Sequence, residues 1–251
     1  MPDFEISGYE GLGHDGLSPE KFVTIEGFDN YSDLSNEHIK ILVEDLLPSG
    51  HLDYCEKISC DPQNSFWEDH PGAMAFHHVH DGVSEIVLDG KEAVELTGLS
   101  TLEILLHEIG HNALMNLEDR DLKEWLYQYQ QALTTYSDTG FGFVSNYSHT
   151  DFAEDFAESY AAYVTNGDFL KFIAPDKYEF MRDIVFGGRE YEQFLNSDGT
   201  ISVVTQATAN QILLALSTMA LDAVNNTTEP IGMGITDNSV GEIYRCFNMV
   251  T

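Results

Sequence analysis

A chain of 251 residues with 43 acidic against 11 basic side chains, formally −32, repels nucleic-acid phosphate, so DNA and RNA are excluded as expected partners. Hydrophobic content of 43% and aromatic content of 12% exclude a disordered polyelectrolyte. They allow one sizeable core, alone or with an appendage. The acidity suits high salt, bound cations, a basic partner or a surface that is simply well solvated.

The amino terminus has neither a basic start nor an apolar run of signal-peptide length. No segment reaches the ~18 apolar residues of a membrane span. On that reading the protein is cytoplasmic, particle-associated or exported by a non-classical route. Cys55, Cys60 and Cys246 make an odd count and no disulfide framework. A Cys55–Cys60 bridge is conceivable, and reduced, buried thiols fit better.

Residues 1–35 are rich in Gly, Asp and Ser and read as loops with short strands. Their "GYEGLGHDG" lacks the Lys-Ser/Thr of a phosphate-binding loop, which removes nucleotide binding. Residues 36–50, "NEHIKILVEDLLPSG", put Ile39, Leu42, Val43, Leu46 and Leu47 on one helical face, ended by Pro48 and Gly50. A turn-rich stretch then leads to "SEIVLDG", 84–90, a short β-type run closed by an Asp-Gly turn.

Next comes "TLEILLHEIGHNALMN", 101–116. Ser100 and Glu103 fit a capping box, and Leu102, Leu105, Leu106, Ile109, Ala113 and Leu117 keep an apolar stripe at helical spacing. "DRDLKEWLYQYQQALTTYS" continues as a second helix, and 151–167 as a third, with Gly167 at its C-terminal cap. "PDKYEFMRDIVFG" is a fourth, opening on Pro175. A boundary falls near Gly187–Gly188, and the remainder holds one apolar helix, "ANQILLALSTMALDAV".

His107 and His111 lie one turn apart, so both imidazoles can reach one ion at about 2.0–2.1 Å. Glu108 points beside that ion, where it can take a proton from the attacking water. The competing reading is a surface helix with two solvated histidines. Against it, a Leu and Ile stripe has no use for clustered ionisable groups unless they are paired or metal-bound. Gly110, costly in mid-helix, fits the close approach of another backbone.

Hydrolytic zinc takes three protein ligands, so a third must come from downstream. In "SNYSHTDFAEDFAESYAAY", 145–163, Glu154 and Glu158 share one helical face, with Asp151 and Asp155 elsewhere around it. For Glu154 a solvated acidic face competes with the ligand role. Tyr147, on a loop, offers a phenol to an oxyanion. His77, His78 and His80 suggest either a second metal site or exposed or substrate-cleft histidines. A zinc-blocking thiol in an autoinhibited form is a further reading of Cys55 or Cys60, beside that of plain buried thiols.

The segment resembles the gluzincin-type zinc metallopeptidases of the anthrax toxin lethal factor and Pro-Pro endopeptidase family. There a His-Glu-x-x-His helix is followed some forty residues on by a tyrosine, and seven residues later by the zinc-binding glutamate. Here Tyr147 precedes Glu154 by the same interval, and "EDFAESY" is similar to the family's Glu-x-Phe-Ala-Glu-x-aromatic run. The match covers roughly residues 80–187. It implies one catalytic Zn2+ held by His107, His111 and Glu154, with Glu108 as base and Tyr147 as transition-state donor. It also implies that Glu158 orients a histidine.

The expectation is an α+β fold: a small, mostly antiparallel sheet packed on the active-site helix, then a helical subdomain carrying Glu154. Residues 1–75 form an N-terminal segment of unknown role, 76–187 the zincin-like core, and 188–251 a C-terminal helical extension. "SEIVLDG" is the candidate edge strand for pairing with an extended substrate. The expected activity is zinc-dependent hydrolysis of internal bonds in a peptide or protein. The alternative is a structural or interaction subunit of a larger assembly that keeps the fold without turnover. An acidic module binding a basic partner would leave the motif unexplained.

Overall fold

In a computed structural model that describes residues 23–32, 34–90, 101–195 and 201–205, the short β-type runs collect into one four-stranded sheet. Its strands are β1 (Thr24–Glu26), β2 (Cys55–Cys60), β3 (Ala75–His80) and β4 (Val83–Leu88), in the spatial order β1-β2-β4-β3. β1 is parallel to β2 and β2 to β4, while β3 and β4 are antiparallel. The fold is α+β as expected, but the sheet is mixed rather than mostly antiparallel. Parallel neighbours need crossovers. Helical turns fill the first crossover, and β3 itself lies within the second.

A second correction follows from the same order. β4, which contains most of "SEIVLDG", is an interior strand between β2 and β3. The outer position falls to β3, because Asp81 (φ 50) and Gly82 (φ 81) close a two-residue hairpin between them. Positive φ at both central residues is what an Asp-Gly hairpin turn requires.

Between β1 and β2 lie α1 (Phe28–Tyr31) and α2 (Asn36–Ile41), which widens into a π turn at Leu42–Leu46. Ser35 caps α2 by accepting from His38 N, and His38 Nδ1 accepts in return from Ser35 N. Ile39, Leu42, Val43, Leu46 and Leu47 are all buried, as their spacing predicts. Within the stretch 1–75, the described part supplies β1, β2 and α2. Its Phe28, Ile39 and Ile58 share one hydrophobic core with Leu105, Phe156 and Met181.

Downstream of β2 come α3 (Phe66–Asp69), α4 (Thr101–Met115), α5 (Asp119–Thr139), α6 (Phe152–Ile173) and α7 (Pro175–Phe180). α4 is packed between the sheet and α6, so Leu105, Leu106, Ile109 and Leu114 are buried, and so are Glu108 and Asn112. Only a central helix buries residues around its whole circumference. Ser100, the expected cap of α4, lies outside the described residues, as do Cys246 and "ANQILLALSTMALDAV".

α6 does not stop at Gly167. It bends at Asn166 (φ −150, ψ 54) and resumes to Ile173, and Gly167 does not take the positive φ of a helix cap. Leu170 and Ile173, both buried, hold the extra turns on the core. Beyond α7 and a π turn at Met181–Val185, β5 (Tyr191–Leu195) and β6 (Ile201–Thr205) form a separate antiparallel pair. Cys55 and Cys60 are free thiols buried on β2, so no bridge joins them. Neither lines the cleft described below. Among the described residues no helix is long and apolar enough to cross a membrane.

Gly110 meets its expected neighbour. A Cβ there would lie 2.9 Å from Ala157 Cα and 3.1 Å from Tyr160 Cβ, so α4 and α6 approach backbone to backbone. Gly110→Ala gains up to about 1 kcal/mol of helix propensity. It forces apart two helices whose overpacking costs about 1–3 kcal/mol. The expected result in urea unfolding is a net loss of stability.

Candidate metal centre

One turn of α4 brings His107 Nε2 and His111 Nε2 to 3.2 Å from each other. α6 contributes the third group from its first turn. Asp151 caps that turn by accepting from Ala153 N and Glu154 N, which fixes where Glu154 leaves the helix. Glu154 Oε2 then stands 3.1 Å from His107 Nε2 and 3.4 Å from His111 Nε2. These three half-buried residues could hold a metal ion. Glu154 Oε2 is itself buried, faces the two ring nitrogens and makes no well-formed hydrogen bond.

The electrostatics have the same sense. Burial alone would raise the Glu154 carboxyl, yet His107 and His111 hold it well below the usual carboxylate range. Burial would lower the His107 imidazole, yet Glu154 and Glu158 lift it well above the usual histidine range. The pocket collects positive charge.

Glu158, the expected orienting group, lies one turn beyond Glu154. Its Oε1 is 2.8 Å from His107 Nδ1, and its Oε2 accepts from Ser145 Oγ at 2.7 Å. Ser145 is locked in turn, since Ser148 N donates to its Oγ and Ser148 Oγ to its carbonyl. With Nδ1 given to Glu158, Nε2 is the ring atom turned toward Glu154 and His111, the one a metal would take in place of a proton. Glu158→Ala is therefore expected to weaken metal binding by about 10–100-fold, read by chelator competition, with the fold retained.

Glu108 is buried beside His107, and burial raises its carboxyl above the ordinary value. It opens on a cleft of about 340 Å³ that is also bounded by Phe76, His77, His111, Met115 and Tyr147. Tyr147 sits in a short 3₁₀ turn, Tyr147–His149, with its ring 5.9 Å from that of His107. Burial and the nearby Glu154 carboxylate push its hydroxyl upward, so it stays protonated as a donor. A second cavity, about 370 Å³, lies between the turn at His51 and the end of α4, and gathers none of these groups.

Among the histidines of β3, His77 faces α4, while His78 and His80 are exposed. No group of three ligands forms around them among the described residues. Several contributors carried no sequence signal. Tyr129 Oη donates to His149 O and steadies the Tyr147 turn. Lys177, buried against Asp155 at 2.6 Å, also donates to Gly142 O and lies 4.0 Å from the centre of the Phe143 ring. Asp155 thus serves the loop ahead of α6 and is not one of the converging donors. The chain matches no family model, no curated protein and no solved structure.

Proposed function

We propose that this chain is a zinc-dependent endopeptidase of the zincin kind, similar in its site to the gluzincins. The donor triangle carries the proposal. Three atoms about 2.0–2.1 Å from a tetrahedral zinc stand about 3.3–3.4 Å from one another. The edges here are 3.1, 3.2 and 3.4 Å. Two imidazoles and one carboxylate also form a donor set of hydrolytic zinc, with a position left open for water.

Zinc bound there supplies Lewis acidity and a water of lowered pKa. The rest falls to the chain's own groups. Glu108, raised by burial, takes the water's proton as the scissile carbonyl is attacked and returns it to the leaving amine. Tyr147 donates its phenolic proton in a hydrogen bond to the developing oxyanion. Glu158 and Ser145 keep the His107 ring fixed throughout. β3, with no second neighbour among the described residues, borders the cleft and offers its free edge to an extended chain.

The test is a peptide library incubated with zinc-loaded protein and read by mass spectrometry. Internal cleavages that a chelator abolishes are the expected result. A fully zinc-loaded chain that cuts no peptide would instead favour the structural-subunit role.

A further inference from the structure

The cleft wall formed by β3 has a defined hydrogen-bonding character, set by Asn112. Its Nδ2 donates to the carbonyls of His51 at 2.8 Å and Asp53 at 3.2 Å, which fixes the amide's orientation. Oδ1 therefore faces β3 as an acceptor, and it receives Ser84 Oγ and, at 3.2 Å, His77 Nε2. A neutral imidazole carries one proton, so a donating Nε2 leaves Nδ1 as a bare acceptor. Nδ1 has no hydrogen-bond partner among the described residues. The ring lines the cleft beside His111, 6.3 Å away and within 16° of parallel.

We propose that His77 reads the substrate: its Nδ1 accepts a hydrogen bond from one main-chain N–H of the peptide lying along β3 beside His111. The inference rests on the endopeptidase reading and adds a selectivity to it. A secondary amide is accepted at that position, and a proline or N-methyl residue forfeits the contact.

The experiment measures the affinity of zinc-loaded wild type, His77→Gln and His77→Asn for a panel of extended peptidyl hydroxamates and for acetohydroxamate, which binds the metal alone. Asn puts a polar atom near the place of Nδ1, whereas Gln reaches the place of Nε2 and leaves that of Nδ1 empty. The best peptidyl hydroxamate is expected to bind His77→Gln about 3–10-fold more weakly, the worth of one neutral hydrogen bond, and His77→Asn nearly as wild type. N-methylation at the recognised position should weaken binding to wild type by the same factor and cost nothing further in His77→Gln. Acetohydroxamate should bind all three alike. Peptidyl hydroxamates that gain equally over acetohydroxamate in wild type and His77→Gln would overturn the role of His77 alone. No gain in wild type would overturn the peptidase reading along with it.

Discussion

Glu108→Gln is expected to lower hydrolysis of any cleaved library peptide by about 10²–10⁴-fold, the range of a positioned general base, while zinc content stays that of wild type. The substitution is nearly isosteric and removes only the ability to accept a proton. Glu108 is not one of the three converging donors, so metal binding has no reason to change. Nor has stability, since burial already disfavours the charged form and an amide there leaves no unpaired charge. The measurement is kcat/KM beside elemental analysis of the same preparation. A variant that keeps its rate would leave this carboxyl without a part in the chemistry. A variant that loses zinc would make it structural.

Glu154→Ala acts on the other half of the site. Apparent zinc affinities of about 10–16 kcal/mol, divided over four ligands, assign about 3 kcal/mol to each, or roughly 10²–10³-fold in binding. Glu154 should be worth at least that, because its buried Oε2 has no other well-formed hydrogen bond to fall back on. The two histidines remain on one helix, and His107 keeps Glu158, so a weak two-nitrogen site survives. Competition against a fluorescent chelator gives the number. Affinity unchanged by this substitution would mean that the carboxylate is only the neighbour of a metal held elsewhere.

These two side chains also mark how far the sequence could be read. His107, Glu108 and His111 lie within a turn and a half of one helix, so periodicity alone brings them together, and Gly110 signalled the approach of another backbone without saying which. Glu154 and Glu158 needed the resemblance to separate ligand from solvated face. The sheet was less legible, because strand order is set by pairings between residues far apart in the chain. In "AFHHVHDGVSEIVLDG" two Asp-Gly pairs compete for the turn, and three histidines hide a strand whose outer face is wet. Gly167 looked like a cap, but buried Leu170 and Ile173 carry α6 onward. The Lys177–Asp155 pair and the Asn112 network are tertiary contacts between residues that no local pattern relates.

The most direct measurement is zinc content after loading and exhaustive dialysis, by elemental analysis of wild type and His111→Ala side by side. One zinc ion per chain in wild type and almost none in the variant is the predicted result. Equal zinc in both would contradict a site built on His107, His111 and Glu154.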